Sequence, residues 1–486
     1  MTTNRGLSVA AEADASQKSE ARAGGACALL GGSVHARDSL PLRLDDPRFR
    51  LPGTCDRSGA TTGRVKSRVP FEASGENMSL VRPFCGVRPD DDLADRIIAL
   101  PYDVMNRREA REMVRQNPSS FLRVTRSDAL LEDAIPQHGE VAYNRARTEL
   151  SSMKQSGLLV QDEAPCFYLY RQTWRGQTQT GLMALAAVAE YDEGTIKKHE
   201  LTRPKKEQDR VDHIAALGAQ TGVVFLAWRD AEVRECRSLI GRLADRIVPA
   251  WRVVTDDGVT HSLMVVRSAE DMGEIQRTFG RLSALYVADG HHRSAAASRV
   301  CAARRGAGGS DGFLAGLFPD AELQVLAYNR VVRDLNGHTP ETFLAGIERD
   351  FILTPDVDAE PEARGTFTMR LDGRWYGLRP RQGMVPVTDP VGRLDVAVLQ
   401  DRVLEPLLGI TDPRRDERIQ FVGGIRGAGA LEAAVDEGRA AVAFHCFPTG
   451  MDQLFDVADA NLLMPPKSTW FEPKLRGGVV IHEFAH

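Results

Sequence analysis

The sequence has no long apolar run, no cysteine pattern and no large excess of charge of one sign. No stretch of its 486 residues reaches the roughly 18 consecutive apolar residues that a membrane-spanning helix needs. The seven cysteines are scattered without a CxxC pair, which disfavours a disulfide framework and a clustered zinc site. Sixty-two Lys and Arg against 67 Asp and Glu leave a net charge of -5, which argues against a nucleic-acid coat. We therefore expect a cytoplasmic protein that does not bind a membrane and for which a nucleic-acid partner is disfavoured, with an oligomeric state that composition leaves open.

The first part of the chain differs in composition from the rest. Residues 1–77 are rich in Ala, Gly, Ser, Arg and Asp and show no helical or strand period, so we expect a disordered N-terminal extension. This segment lacks the apolar core of a secretory signal and the acid-poor composition of a transit peptide. Globular-looking sequence begins at Met78, which also fits a gene start placed too early. We expect two α/β regions after it, residues 78–330 and 331–486.

From Val81 onward, short apolar runs alternate with helical stretches, which predicts an α/β or α+β fold with mixed sheets and flanking helices. The predicted helices are Arg107–Gln116, 139–154, 206–217, 290–302, Pro340–Ile347 and 394–407. The predicted strands are 167–170, 181–188, 223–228, 284–288, 419–422 and 441–447, with two more near Phe351 and Phe367.

The strongest chemical signal is an apolar strand that passes through Asp289 and Gly290 directly into a small-residue helix. His291, His292 and Arg293 open that helix, with the two imidazoles expected on different sides of the turn. Unpaired N–H groups and the positive dipole end make a helix start a natural phosphate site. Gly290 lets the backbone approach an anion, and Arg293 offers a bidentate fork. Asp289 would cap the helix or hold a metal or a substrate hydroxyl. We favour this interpretation over a purely structural strand–helix junction.

A second signal is the pair His199 and Glu200, which precedes a helix whose first turns carry Lys206 and Arg210. Beside phosphates, Glu200 could act as a general base while the two cations neutralise charge. The pair is not a zincin motif, because His213 is too distant for one helical face to present both imidazoles. A solvated, charged helix start is an equally good interpretation of this segment alone.

Two further segments carry polar residues next to prolines. Lys467 opens a Lys-Ser-Thr sequence without the Gly-rich turn of a Walker motif. Flanking prolines predict a rigid loop that could aim Lys467, Ser468 and Lys474 into a cleft, although a structural proline loop explains the spacing slightly better. Asp103, after a proline-fixed turn, is either a site residue or the N-cap of the next helix.

Taken in order, these segments resemble the bacterial and archaeal domain-of-unknown-function family ten-fifteen. The likeness covers about residue 80 to the C-terminus, with one departure: Ser294-Ala295 stands where members commonly have Tyr-Glu. The motifs that carry it are Arg82-Pro-Phe, Pro101-Tyr-Asp-Val104, His199-Glu-x-Thr202 with Asp209-Arg210, Asp289-Gly-His-His-Arg293, Ala327-Tyr-Asn-Arg330, Leu394-Asp-Val-Ala-Val-Leu399, Pro466-Lys-Ser-Thr469 and Pro473-Lys474.

The resemblance implies a fold neighbourhood more than a reaction, because the family has no established activity and some members are labelled phosphatase. The Asp-Gly-His-His-Arg junction is also similar to the phosphate-binding motif of the ParB/sulfiredoxin-like superfamily. That superfamily includes nucleotide-dependent free-serine kinases and a nucleotide-hydrolysing DNA-partitioning protein.

We hypothesise a nucleotide-dependent phosphotransferase (kinase) for a small hydroxylated metabolite, with L-serine as a candidate, ATP or ADP as candidate nucleotide and Mg²⁺ as candidate metal. A phosphatase or nucleotide hydrolase, and a non-catalytic nucleotide-binding regulatory module, are the alternatives. The expected catalytic residues are Glu200, His199, Asp289 and His292. The expected phosphate-binding residues are Gly290, His291, Arg293, Arg210, Lys467, Ser468, Thr469 and Lys474. The expected substrate-binding residues are Tyr102, Asp103, Thr202 and Asp209.

Overall fold

The computed structural model describes residues 80–485, and the extension predicted for residues 1–77 lies outside the described residues. The α-helices are α1 Ala94–Ile97, α2 Arg107–Gln116, α3 Leu122–Thr125, α4 Glu140–Gln155, α5 Val188–Glu193, α6 Pro204–Leu217, α7 Arg234–Arg246, α8 Ala269–Phe279, α9 His291–Arg304, α10 Pro340–Ile347, α11 Asp395–Leu399, α12 Gly427–Asp436 and α13 Met451–Asp459. The strands are β1 Val81–Arg82, β2 Val87–Pro89, β3 Leu159–Gln161, β4 Phe167–Trp174, β5 Gln177–Ala187, β6 Ile196–Lys197, β7 Ala219–Gln220, β8 Val224–Trp228, β9 Trp251–Val254, β10 Thr260–Val266, β11 Leu285–Asp289, β12 Gly312–Pro319, β13 Gln324–Leu326, β14 Tyr328–Val332, β15 Phe351–Pro355, β16 Phe367–Leu371, β17 Arg374–Pro380, β18 Ile419–Gly423, β19 Val442–Cys446, β20 Trp470–Glu472 and β21 His482–Glu483.

A nine-stranded sheet forms the larger layer, in the order β6-β11-β8-β12-β5-β4-β10-β9, with β1 also paired to β5. Strand β11 runs parallel to β6 and antiparallel to β8, and β8 runs parallel to β12. Along β4, Phe167 and Leu169 pack into one apolar cluster while Tyr168 and Tyr170 pack into another. Both faces of this sheet are therefore covered, which is why its strands are continuous apolar runs rather than alternating ones.

A six-stranded antiparallel sheet forms the second layer, in the order β15-β17-β16-β19-β14-β18. Phe343 of α10 packs with Phe367 and Phe444 of this sheet in a third apolar cluster. Thr339 starts α10 by accepting a hydrogen bond from the backbone N–H of Thr342 at 3.3 Å, and Pro340 occupies the first turn.

The C-terminal segment returns to the N-terminal half of the described chain. Strand β20 pairs with β13, and β21 pairs with β7. Val480 and Ile481, just before β21, are fully buried. The boundary expected at residue 330 falls inside β14, and the division into two α/β regions stays a prediction.

The predicted fold class, a mixed α/β protein with flanking helices, is confirmed. Helices α2 and α10 have the predicted bounds. The helix predicted over 394–407 was wrong in kind, because the α-helix ends at Leu399 and a π-helical stretch follows. There the N–H of Glu405 bonds the carbonyl of Gln400, five residues back, at 3.0 Å. Helices α7 and α8 and strands β9 and β10 had not been predicted.

Candidate active site

Strand β11 ends at Asp289, and Gly290 turns the chain into helix α9. Gly290 has a φ of 97°, which only glycine adopts without strain, and it is the N-cap residue of α9. No side chain caps this helix, so the capping role considered for Asp289 was wrong. The N-cap of α2 is Asn106 rather than Asp103, and Asn106 Oδ1 accepts from the N–H of Glu109 at 3.0 Å. Both aspartates are thus left without a capping role.

The Arg293 side chain folds back over this junction. Its Nη1 donates to the carbonyl of Val223, and its Nη2 lies 3.7 Å from Asp289 Oδ1. A Cβ atom on Gly290 would lie 3.0 Å from Arg293 Nε, and one on Gly222 would lie 3.0 Å from Arg293 Cδ. The absence of a Cβ atom at Gly222 and Gly290 therefore leaves the space that the Arg293 side chain occupies.

A cleft of about 270 Å³ opens at the end of β11. Eight of the predicted site residues line it: Asp103, His199, Glu200, Asp289, Lys467, Ser468, Thr469 and Lys474. These residues come from four segments that are far apart in the sequence.

A second, smaller cavity of about 50 Å³ contains Tyr102, Arg210 and Arg293 in its wall. The Arg210 guanidinium lies over the Tyr102 ring, 4.3 Å from its centroid. Since Asp289 lines the cleft and Arg293 lines this cavity, their ion pair spans the wall between the two.

Two histidines lie behind Glu200. The His199 and His291 rings are perpendicular, with centroids 4.5 Å apart. The backbone N–H of His199 lies 3.4 Å from His291 Nε2, which leaves His291 Nδ1 at 3.9 Å from Glu200 Oε2. His199 Nδ1 is buried and has no hydrogen-bond partner. Burial lowers the pKa of His199 to about 4 and that of His291 well below its usual value, so both rings are neutral at pH 7.

The pKa values of the two carboxyl groups beside these histidines are shifted in opposite directions. Although half of the Glu200 side chain is exposed, burial of the carboxyl raises its pKa, and Lys467 opposes the shift without cancelling it. Burial also acts to raise the pKa of Asp289, but Arg293, Lys474 and Lys467 outweigh it and hold that pKa below its usual value. A carboxyl group with a raised pKa thus lies in the same cleft as one with a lowered pKa.

The lysine loop, residues 465–474, has a fixed conformation. Lys467 adopts a φ of 59°, and its carbonyl accepts from Arg330 Nη2 at 3.2 Å. Ser468 Oγ donates to the carbonyl of Pro465 at 2.6 Å, so this hydroxyl already stabilises the loop. Lys467 Nζ lies over the Tyr328 ring, 5.3 Å from its centroid.

Two residues expected in the site do not line the cleft. His292 Nε2 accepts from the backbone N–H of Arg203 at 3.0 Å, on a different side of α9 from His291. Thr202 Oγ1 donates to Glu207 Oε2 at 2.6 Å. Both side chains therefore hold the start of α6 rather than face the cleft.

The Asp209 side chain, expected to bind substrate, is instead bonded to neighbouring side chains. Its Oδ1 accepts from the Tyr143 hydroxyl at 2.5 Å and lies 2.7 Å from His138 Nδ1. Its Oδ2 accepts from Arg210 Nε at 2.8 Å. Asp209 thus fixes the guanidinium that covers Tyr102.

Sequence reasoning missed the aromatic wall of the cleft. Tyr328, Trp470 and Phe471 line it beside the two lysines. Their signal was present, since Tyr328 lies in the Ala-Tyr-Asn-Arg motif and Trp470 directly follows Lys-Ser-Thr. Within residues 80–485, no group of three or more His, Cys, Asp or Glu side chains could hold a metal ion, and no helix is both long and apolar enough to cross a membrane.

Comparison with known proteins identifies the family. The sequence matches the family described as "Protein of unknown function (DUF1015)" over residues 81–397, so the chain belongs to this family and the predicted resemblance is confirmed. No curated protein matches the chain.

Several solved structures match the chain at low sequence identity. A free serine kinase in complex with AMP is 11% identical, with 60% of this chain and 86% of that chain covered and a TM-score of 0.31. SbnI with a C-terminal truncation, from Staphylococcus aureus, is 11% identical over 61% of this chain and 85% of that chain, with a TM-score of 0.34. A conserved hypothetical protein from Pyrococcus furiosus is 11% identical, with 60% of this chain and 90% of that chain covered and a TM-score of 0.29.

Proposed function

We propose that this protein is a nucleotide-dependent phosphotransferase that acts on the hydroxyl group of a small metabolite, with L-serine as a candidate acceptor and ATP or ADP as candidate donor. The observation that carries the proposal is the cleft at the end of β11. It holds Glu200, whose pKa burial raises, together with the unpaired cations Lys467 and Lys474. A base beside cations in one cleft is the arrangement that phosphoryl transfer to an alcohol requires.

In this mechanism Glu200 accepts the proton of the acceptor hydroxyl. The hydroxyl oxygen forms a bond to the terminal phosphorus of the nucleotide, and the bond from that phosphorus to the bridging oxygen breaks. The electron pair leaves with the shortened nucleotide. Lys467 and Lys474 neutralise the charge on the phosphoryl oxygens, and Arg293 has donors left beside the helix start for the same purpose.

The two buried histidines would serve binding and orientation. An unpaired buried nitrogen costs about 1–3 kcal/mol. A ligand that donates or accepts a hydrogen bond at His199 Nδ1 would remove this cost. His291 Nδ1 lies on the Glu200 side and would orient that carboxylate. Tyr102 and Asp103 stay proposed contacts of the acceptor, and Thr469 a contact of phosphate.

Mg²⁺ is usually held by one or two carboxylates together with the phosphates of the nucleotide. Asp289 fits this role, since its carboxyl faces the cleft and the surrounding cations keep it ionised. When bound there, Mg²⁺ would neutralise phosphate charge. The cations of the cleft act in the same direction.

Replacement of Glu200 by Gln tests the proposal. The amide keeps the shape and cannot accept the proton, so turnover should fall by about 10²- to 10⁴-fold while nucleotide affinity stays within about twofold. The measurement is transfer of labelled phosphate from ATP to hydroxylated amino acids, with nucleotide affinity from calorimetry. The matched control is Glu193→Gln, because Glu193 is an exposed glutamate six residues after the end of β5 at Ala187. This change should leave turnover and nucleotide affinity unchanged.

Three other results would contradict the assignment. Unchanged turnover in the Glu200→Gln protein removes Glu200 as the base. Release of free phosphate with no acceptor alcohol makes the protein a hydrolase, and nucleotide binding without turnover makes it a regulatory module.

A further inference from the structure

Two lysines of the cleft wall lie over aromatic rings. Lys474 Nζ is 4.5 Å from the centroid of the Trp470 ring, and Lys467 Nζ is 5.3 Å from that of Tyr328. Lys467 lowers the pKa of Glu200, and both lysines lower that of Asp289, yet among residues 80–485 neither ammonium group is close enough to a carboxylate to form an ion pair. A cation over an aromatic ring is weakly held compared with one bonded to a phosphate oxygen. Both ammonium groups can therefore exchange a ring for a phosphate.

The position of the Trp470 ring is fixed by contacts with its neighbours. A Cβ atom on Gly423 would lie 2.7 Å from Trp470 Cε3 and Cζ3, so the ring packs directly on that backbone. Trp470 Nε1 donates to Glu472 Oε1 at 2.7 Å, and the Tyr328 ring meets the indole at 80° with centroids 5.2 Å apart. The ring is thus fixed at its back and its edges, while Lys474 covers the part that faces the cleft.

We propose that Trp470 is the stacking platform for the base of the nucleotide, and that Lys474 moves from the ring to the phosphates when the nucleotide binds. This inference rests on the proposed phosphotransfer function and names where its donor is recognised. Nucleobases stack on aromatic rings regardless of sequence, because each has a π-face. The platform, the mobile cation and the helix start at Gly290 would bind one nucleoside phosphate from its base to its terminal phosphate.

Trp470 is also a suitable reporter of this contact. The other four tryptophans, Trp174, Trp228, Trp251 and Trp375, all lie in the described residues and are buried, whereas Trp470 is partly exposed. A base stacked on Trp470 should therefore quench the part of the intrinsic fluorescence that comes from this residue alone.

The test compares ATP with tripolyphosphate, which has the same phosphate chain and no base. In the wild-type protein we expect ATP to quench tryptophan fluorescence and to bind more tightly than tripolyphosphate. Trp470→Leu should weaken ATP binding about tenfold, which is within the range of one base–aromatic stack, and leave tripolyphosphate affinity within about twofold. Trp470→Tyr should keep most of the ATP affinity, and Trp375→Phe, a buried change in the second sheet, should change neither ligand's affinity.

Four outcomes overturn the inference. If ATP and tripolyphosphate bind wild-type protein equally, or Trp470→Leu weakens both alike, the ring contributes structure rather than base recognition, and the phosphotransfer proposal stands. Unchanged ATP affinity in Trp470→Leu rejects the platform in the same way. If neither ligand binds the wild-type protein, the platform and the proposed function fail together.

Discussion

At the scale of single residues, the cleft contains two carboxyl groups whose pKa values are shifted in opposite directions. Glu200 follows the short strand β6, Asp289 is the last residue of β11, and each precedes a helix. Burial raises the pKa of Glu200, while Arg293, Lys474 and Lys467 hold that of Asp289 down. The two pKa values are therefore shifted in opposite directions, so Glu200 accepts a proton more readily than Asp289 does.

The pH profile of turnover tests this difference. Because only ionised Glu200 accepts a proton, kcat/KM should rise with pH through a midpoint above the usual glutamate pKa. Lys467 opposes the shift, so Lys467→Met should lower kcat/KM and move the midpoint to higher pH. The control is Lys154→Met, which removes a lysine paired with Glu483 away from the cleft. A midpoint that stays in place in the Lys467 variant would show that the titrating group is not Glu200.

At the scale of elements, the junction between β11 and α9 decides where the charges lie. Gly290 provides a backbone conformation with positive φ, and the absence of its Cβ gives the Arg293 guanidinium its position. Four buried residues of β11 and the buried face of α9 anchor this turn on both sides. The geometry of the site is therefore set by backbone as much as by side chains.

Gly290→Ala should show the backbone cost of the positive φ and the effect of an added Cβ on the position of Arg293. The backbone term costs about 1–2 kcal/mol of the free energy of unfolding, because L-residues avoid this region. Gly194→Ala, at a φ of 93° with nothing within 4 Å of its Cβ, is the matched control for that term. Only Gly290→Ala should also displace Arg293 and weaken nucleotide binding, as measured by urea unfolding and calorimetry. Equal nucleotide affinity in both variants would mean that Arg293 does not contribute to the site.

The sequence alone predicts the elements with a strong local pattern and misses those without one. Helix α10 was found because Thr339 and Pro340 mark its start, and β11 because its apolar run ends at Asp289. Helix α7 was missed although Leu239 and Leu243 recur at helical spacing on its buried face. Local chemistry gave no indication that Thr202, Asp209 and His292 would bond to neighbours instead of facing the cleft, because those bonds depend on how α6, α4 and α9 pack.

At the scale of the whole molecule, the cleft depends on the return of the chain to the first sheet. The lysine loop reaches the end of β11 because β20, which lies within the loop, pairs with β13. The carbonyl of Lys474 accepts from Gln172 Nε2 at 3.0 Å, which ties the loop to β4 of the larger sheet. Contacts between such distant segments cannot be deduced from one sequence, and only the shared family motifs indicated that these segments belong together.

The most direct measurement is a crystal structure of the full chain with bound ADP. The account predicts phosphate oxygens within hydrogen-bonding distance of Lys467 and Lys474, beside the start of α9 at Gly290. Density for the nucleotide in another place, for example in the cavity of about 720 Å³ beside Phe84 and His482, would contradict it, even if the nucleotide were well ordered.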